Sequence, residues 1–279
     1  MKKYLLLLLF PVSVLAQDDL LNEIDTVSTE KSKVESAFKG LKIVNLESTK
    51  LAAKGDLYFI VAHRFGSIKD GFEGFYGLDN ANTQIKFVYG LTNWFTVSGA
   101  RSELAYDFSG KFLIKNQERG GFPVAIAGFG SLAINNTLKE SLYPNMTFEN
   151  RLIYVSQILI SRKFSQNLSL EVVPTFFHEN FVLDDNQENS QLALGLGGRY
   201  KFAKRWSLNI DYAAHLNRAS NSVYKNPLSV GVDIETGGHV FQMHFSNSQG
   251  IHEAGFLGNT TGDWTKGDVF FGFNLLRVF

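Results

Sequence analysis

Residues 206–217 read WSLNIDYAAHLN and show most clearly the pattern from which the fold is predicted. Every second residue from Trp206 to Leu216 is apolar, whereas the residues between them are Ser, Asn, Asp, Ala, His and Asn. Successive side chains of a strand point to opposite faces, so this stretch predicts a strand with one apolar and one polar face. A helix is excluded because its period is 3.6 residues rather than 2.

Other segments repeat this alternation, among them residues 168–178, 190–201 and 228–235. Strands of soluble proteins usually hold about five or six residues, whereas a tilted strand that crosses a bilayer needs about nine to eleven. Many of these segments reach the longer range. Length and alternation together predict an all-β protein, an antiparallel transmembrane β-barrel.

The links between the segments follow a second pattern. Long polar links come after most odd-numbered segments and short links after the even-numbered ones, with residues 103–105 as the exception. Bacterial outer-membrane barrels have an even number of strands, short periplasmic turns and longer external loops. We therefore expect both termini on the periplasmic side of a barrel with about twelve strands: 55–64, 83–90, 94–102, 106–115, 123–133, 151–161, 168–178, 190–201, 206–217, 228–235, 238–246 and 267–279.

The first residues have the layout of a secretory signal peptide. Lys2 and Lys3 precede an apolar run over residues 4–10, and the chain turns polar at Gln17. We expect cleavage after Ala16 and export to the outer membrane. An uncleaved anchor is the alternative, but the apolar run is shorter than the roughly 20 residues of a spanning helix.

These boundaries divide the chain into three predicted parts. Residues 1–16 form the signal peptide, 17–40 a polar N-terminal segment and 41–279 the β-barrel. Residues 41–46 resemble an extra strand, but a thirteenth wall strand would break the even count. We therefore expect them to lie in the periplasm or to tuck into the barrel mouth.

Composition excludes several classes of protein. The chain has 27 basic and 27 acidic residues, and loss of Lys2 and Lys3 with the signal peptide leaves 25 basic against 27 acidic residues. This balance argues against nucleic-acid binding, which requires a basic surface. The sequence contains no Cys, so disulfides, a lipid-modified N-terminal Cys and Cys-ligated zinc are excluded.

The C-terminal segment supports a barrel in the outer membrane. Val269, Phe271, Phe273 and Leu275 alternate toward a terminal Phe279. A last strand of this kind resembles the signal by which the barrel-assembly machinery recognises outer-membrane proteins. The expected partners are therefore that machinery and outer-membrane lipid.

Several segments resemble one known family. Short turns at residues 91–97, 164–170 and 202–208 share an order of apolar, small, polar, variable, large apolar, Ser/Thr and aliphatic residues. With residues 226–242 above all, and also 260–264 and 271–274, they resemble a β-barrel family of the Bacteroidota. The family is described as a domain of unknown function, a membrane or secreted barrel. The resemblance covers roughly residues 38–279 and implies a fold and a location but no activity.

The polar faces of the strands would line the lumen. A barrel of twelve strands is wider than the eight-stranded case that side chains can just fill. The sequence therefore predicts a porin-like passive channel or a barrel that binds a small polar solute. A plugged structural or partner-binding barrel is the alternative, because an N-terminal plug or loops can close the lumen. The candidate lumen-lining residues are Glu171, Arg199, Lys201, Asn209, Asp211, Asp233, Glu235, Gln242 and His244.

An outer-membrane lipid hydrolase is the less favoured alternative. His244 and Ser246 lie on one face of a strand but about 7 Å apart along it, and that face would point to the lumen rather than to lipid. The six His show no metal-ligand spacing, and no cofactor is expected. Asp184 and Asp185 in an external loop are more typical of a solvated acidic loop than of a Ca²⁺ site.

The long segment over residues 251–267 also has two interpretations. It contains Phe256, Trp264 and several Gly. It is expected either to pack on its own aromatic residues or to contact a partner or cover the barrel mouth as a lid.

Overall fold

A computed structural model describes residues 32–139, 141–183 and 186–279. The expected signal peptide over 1–16 lies outside the described residues. So do the first part of the polar segment, up to residue 31, and the acidic pair Asp184 and Asp185.

Twelve antiparallel strands form a closed barrel, which confirms the predicted fold class and strand count. The alternation in the sequence predicted the strand positions well, because most strand ends differ from the prediction by only one to three residues. The strands are β1 Leu57–Ser67, β2 Ala81–Thr92, β3 Phe95–Ser102, β4 Ala105–Lys115, β5 Ala125–Asn135, β6 Leu152–Lys163, β7 Leu168–Glu179, β8 Ser190–Ala203, β9 Trp206–His215, β10 Leu228–Thr236, β11 His239–Ser246 and β12 Phe270–Val278.

Each strand pairs with the next along the chain, and β12 closes the barrel on β1, with Phe273 opposite His63. Closure leaves no strand edge open, which a membrane interior requires because lipid offers no hydrogen bonds to the backbone. The backbone of Phe279 also bonds to Leu57 beside the short turns. Its ring lies under the Arg277 guanidinium, 4.5 Å from the centroid.

The remaining elements are short. A two-residue strand Ser32–Lys33 pairs with Glu118–Arg119, and we call this pair the clip. The long loop after β11 carries one α-helix, α1, at Glu253–Gly258. Four 3₁₀ turns lie in the longer loops: Ile68–Asp70, Phe75–Gly77, Glu149–Arg151 and Trp264–Lys266. Within the described ranges, no helix has the length and apolar character needed to cross a bilayer.

The two faces of each strand differ as the sequence predicts. On β9 the outward side chains of Leu208 and Ile210 are 43% and 48% exposed, whereas Asn209 and Asp211 are buried. Exposed apolar side chains continue around the outside on most strands. This outer surface suits lipid, and the polar surface is enclosed.

The buried apolar core lies inside the barrel rather than between two sheets. It joins inner-wall side chains such as Phe129 and Phe177 to Phe38 and Ile43 before the first strand and to Phe256 of α1. The segment ahead of β1 therefore occupies the lumen.

Residues 41–46 resemble a strand in the sequence, but in the structure they form none and lie inside the barrel. These residues form a compact turn closed by a single bridge between Lys42 and Glu47. The physical reason is that the closed barrel offers no free edge to pair with. Instead, the backbone of this turn bonds to side chains of the barrel wall.

Candidate functional site: the barrel lumen and its plug

Residues 37–52, which we call the plug, fill the middle of the lumen. Phe38, Ile43 and Leu46 are each no more than 2% exposed. The polar segment predicted over residues 17–40 thus ends in a buried apolar anchor rather than in solvent.

A single carboxylate on β9 holds the tip of the plug. Oδ2 of Asp211 accepts backbone N–H bonds from Val44 at 3.1 Å, Asn45 at 2.7 Å and Leu46 at 2.9 Å. Hydrogen bonds to an ionised acceptor are stronger than neutral ones. Three of them at one turn fix both the position and the conformation of the plug.

The side chain of Asn45 adds a second set of contacts at the same tip. Its Oδ1 accepts a bond from Arg64 on β1 at 2.9 Å, and its Nδ2 donates to Ser229 Oγ on β10 at 2.9 Å. Arg64 also donates to Asn274 Oδ1 on β12 at 2.9 Å. The tip therefore joins strands on both sides of the closure between β12 and β1.

Glu47 forms the charged centre of the plug. Its carboxylate lies 2.8 Å from Lys111 Nζ, 3.4 Å from Lys86 Nζ and 3.5 Å from Lys42 Nζ. These three cations hold the pKa of Glu47 well below its usual range in spite of burial. Lys111 also donates to the carbonyl of Ser48 at 2.8 Å, so the charged cluster and the plug backbone stabilise each other.

Glycines on the inner wall make room for the plug. A Cβ at Gly197 on β8 would lie 2.1 Å from Ile43 Cδ1, and one at Gly195 would lie 3.0 Å from Leu46. Glycine in a strand often marks such a close approach of another part of the chain.

The lumen is covered from the loop end by α1. All six residues of this helix are buried, and Phe256 is 1% exposed. Arg218 donates to the carbonyls of Gly258 at 2.9 Å and Leu257 at 3.1 Å. Of the two interpretations of residues 251–267, the structure shows the lid, although Trp264 remains 37% exposed.

Plug and lid meet at an ion pair between Lys42 and Glu253. Burial and the negative charge of Glu47 raise the pKa of Glu253 to about 7, against the lowering effect of Lys42. The pKa of Lys42 is raised because it faces both carboxylates. Lys42 therefore stays charged, while Glu253 can change its charge near neutral pH.

Little open space remains in the middle of the barrel. A cavity of about 40 Å³ lies between the plug and the wall of β1–β4, where Arg64, Lys86 and Lys111 face it. Such a volume holds a few water molecules. In this conformation the lumen is closed to solutes.

The nine predicted lumen residues all lie on inner faces of β7–β11. Asp211 holds the plug tip, Glu171 accepts the N–H of Thr49 at 3.0 Å, and Gln242 donates to the carbonyl of Ile43 at 3.1 Å. These contacts make three of the nine residues direct ligands of the plug.

The other six predicted residues divide into two groups. Asp233 accepts a bond from Gln242, while Asn209 and His244 are buried in the wall. Neither ring nitrogen of His244 has a hydrogen-bond partner among the described residues. Arg199 pairs with Glu235, and together with Lys201 they line a wide opening at the short-turn end.

Sequence reasoning missed the residues that face the plug from the other half of the barrel, namely Arg64, Lys86, Lys111 and Asn274. A signal was present, because each is a polar residue on an alternating face within a strand. The plug itself had no such signal, since Ile43 and Leu46 are apolar in a segment without regular period.

The side-chain pair weighed for a hydrolase does not form. Ser246 Oγ bonds to Ser229 Oγ at 3.1 Å and to Asn45, not to His244. Across β7 and β8, His178 Nδ1 and Ser190 Oγ are 2.9 Å apart at an exposed position. Within the described ranges no group bonds the second ring nitrogen of His178, where a triad places its third member. The described residues also contain no cluster of metal-ligating side chains.

Comparison with known proteins gives a family and a fold. The profile of a family described as "Membrane bound beta barrel domain (DUF5777)" matches residues 38–279. This range confirms the family resemblance seen in the sequence. No curated protein matches the chain.

Two solved porins have a similar fold. The KdgM porin is 9% identical, with 80% of this chain and 99% of that chain covered at a TM-score of 0.51. The NanC porin is 10% identical, with 80% and 98% covered at a TM-score of 0.50. At such identities the similarity concerns the architecture of the barrel.

Proposed function

The chain belongs to this family of membrane-bound β-barrel domains, and from that premise we propose that it is an outer-membrane channel for small polar solutes that its own plug holds closed. The observation that carries the proposal is the Asp211 carboxylate with its three plug N–H bonds. A barrel that only needed filling would not need a single charged clamp at the tip of one segment. The clamp lets one local change release the plug.

The contacts of the plug support a segment that can leave the lumen. Many of its polar partners, including Glu171, Gln242 and Lys111, are charged or amide side chains that water can replace. The strand ladder of the wall does not depend on these contacts, because β1–β12 pair with one another around the full circle. Release of the plug would therefore leave a closed barrel with a polar interior.

The test is single-channel conductance in a planar bilayer, with heat-modifiable gel migration as the folding control. In a plug-replaced variant, residues 41–49 become a Gly-Ser segment of equal length. We expect steady conductance steps from this variant and rare openings from the native sequence. A plug-replaced barrel that folds but carries no current would overturn the channel function.

A disulfide can test the same proposal without deleting anything. The hydroxyl oxygens of Thr49 and Ser161 are 2.5 Å apart, and the sequence has no Cys of its own. In the double variant Thr49→Cys/Ser161→Cys, oxidation should fix the plug to β6. We expect the oxidised protein to be silent and the reduced protein to open as often as the native one, with Thr49→Cys as the control insensitive to oxidation.

Export and assembly belong to the same proposal. We infer that residues 1–16 are removed, that the barrel-assembly machinery reads the strand ending at Phe279, and that lipid covers the outer face. The N-terminal residue of protein from an outer-membrane fraction checks the first point, with Gln17 expected. Removal of Phe279 should slow assembly in cells.

The fold gives less support to the hydrolase alternative. The pair His178 and Ser190 faces outward, but a nucleophile also needs its base to be oriented by a third group. Replacement of Ser190 by Ala should leave lipid turnover by the purified protein at background. Loss of a measurable lipase activity in Ser190→Ala would instead favour the enzyme.

A further inference from the structure

The opening at the short-turn end, which we call the vestibule, has a strong excess of positive charge. It is a concave space of about 870 Å³ beneath the plug, and the clip forms part of its wall. Three acidic residues line it: Glu35, Glu118 and Glu235. Seven basic residues line it: Lys33, Lys39, Arg119, Arg162, Lys163, Arg199 and Lys201.

The acidic residues of the vestibule are already engaged. Glu35 lies 3.0 Å from Lys163, and Glu235 pairs with Arg199. Glu118 lies 3.0 Å from Lys115, which is not one of the seven cations. Three carboxylates against seven cations leave the lining of the vestibule with a net positive charge.

Four of the seven cations form no ion pair with a carboxylate in the described part of the chain. Two of them, Lys33 and Arg119, belong to the clip, in whose register Lys33 lies opposite Glu118 and Arg119 opposite Ser32. The other two are Arg162 on β6 and Lys201 at the end of β8. Positive charges that line a concave, low-dielectric surface add their fields and attract anions. An exposed convex face with the same residues would be screened more effectively.

We propose that the vestibule binds multivalent anions, so that the solutes of this channel are anionic. At about 870 Å³ the space lies near the upper end of the roughly 300–1,000 Å³ of a small-molecule pocket. Its several cations favour an anion with several carboxylate, sulfonate or phosphate groups. The statement about solutes rests on the proposed channel function, whereas anion binding by the vestibule can be measured without conduction.

Two sources of carboxylate groups have to be distinguished. One is a solute, and the other is this chain, since Asp18, Asp19, Glu23, Asp25 and Glu30 precede Ser32 in the sequence. A tethered acidic segment has a high effective concentration and would compete with a free anion. The experiment must therefore separate the two sources.

The first measurement is binding of the fluorescent trisulfonate pyranine to the folded chain from Gln17 onward in a zwitterionic detergent. We expect binding that weakens as salt rises. In the variant Lys33→Gln/Arg119→Gln/Lys201→Gln the affinity should fall by about tenfold or more. The matched control Lys69→Gln/Lys139→Gln/Lys266→Gln removes the same charge from exposed loop positions at the other end and should leave the affinity within about twofold.

A second variant identifies the natural source. It keeps the full chain but neutralises the tethered acids as Asp18→Asn, Asp19→Asn, Glu23→Gln, Asp25→Asn and Glu30→Gln. If pyranine binds this variant more tightly than the native chain, the tethered acids occupy the vestibule in the resting protein. If the affinity is unchanged, the vestibule is free for solutes. Absence of salt-sensitive binding from both chains, with normal heat-modifiable migration, overturns the proposal.

Ion selectivity separates the failure of this inference from failure of the proposed function. In a salt gradient, the plug-replaced variant should have a reversal potential that favours anions, and the triple Gln variant of the vestibule should shift it toward cations. A barrel that conducts without this preference and does not bind pyranine would support the channel function and contradict the anion site. A barrel that binds pyranine but never conducts would support the anion site and contradict the channel function.

Discussion

At the scale of single residues, Asp211 decides whether the lumen is open or closed. The residue is buried on β9, and its carboxylate accepts three backbone bonds from the plug. The sequence placed Asp211 on an inner face, because it lies on the polar side of an alternating strand. The sequence did not show that its partner would be the chain's own backbone.

Replacement of Asp211 should release the plug without breaking the barrel. In Asp211→Ala, three plug N–H groups lose their acceptor, which should destabilise the plugged state by at least about 2 kcal/mol. The open probability in planar bilayers should rise by about 30-fold. The control Asp107→Asn changes another buried inner-wall carboxylate, one with no hydrogen bond to the plug among the described residues. Equal effects of both variants would contradict the clamp.

The pH dependence of closure should come from Glu253. Burial raises its pKa from 4.5 to about 7, so the folded lid favours the protonated carboxyl. Its contribution to closure is complete below about pH 4.5 and is lost as the pH rises through about 7. Hydrogen exchange of the α1 amides should therefore become faster, relative to an unstructured reference, between pH 5 and 8. The variant Glu253→Gln should abolish this trend, and an unchanged trend would exclude Glu253 as its source.

At the scale of elements, α1 is a short helix that owes its position to side chains from other loops. Six residues are too few for a helix to be stable by itself in water. Its C-terminal carbonyls accept bonds from Arg218, and Phe256 inserts into the core shared with the plug. The hydrophobic pattern of residues 251–267 is too short to predict such a helix, which explains why two interpretations stayed open.

Loss of Arg218 should loosen the lid. A hydrogen bond from a charged donor contributes about 1.5–3 kcal/mol when it is buried, so Arg218→Ala should speed amide exchange in α1 by about tenfold or more. The control Arg151→Ala removes a comparable loop arginine, whose guanidinium bonds to the Asn135 carbonyl away from the lid. Exchange in α1 that responds equally to both variants would contradict the role of Arg218.

At the scale of the whole molecule, the barrel is a closed sheet with lipid outside and a packed polar and apolar filling inside. Many apolar side chains on the outer face remain exposed in the described part of the chain, and a surrounding bilayer would bury them. The filling comes from the two segments that leave the wall, the plug before β1 and the loop after β11.

Charge on the outer face should therefore cost free energy according to depth. Ile210 lies near the middle of β9 and is 48% exposed, whereas Phe202 lies at the short-turn end of β8 and is 55% exposed. For Ile210→Arg we expect a loss of about 2–4 kcal/mol in the free energy of folding into vesicles, and for Phe202→Arg about 0–1 kcal/mol. Equal losses at the two positions would indicate that no bilayer surrounds the barrel.

Local sequence patterns were sufficient to predict the wall of the barrel. The period of 2, the strand lengths and the order of short and long links predicted twelve strands, their faces and the inward position of residues such as Asp211 and Arg199. This was possible because each strand repeats a local pattern that depends on its own residues and on the two media that it separates.

The filling of the lumen, in contrast, depends on contacts that form only in the folded chain. The contacts of the plug join parts of the chain that are far apart in sequence. Examples are the packing of Ile43 against Gly197 and the ion pair between Lys42 and Glu253. Their contacts follow from shape and from the absence of a free strand edge in a closed barrel. No local period carries that information. The sequence therefore could not distinguish an open barrel from a plugged one.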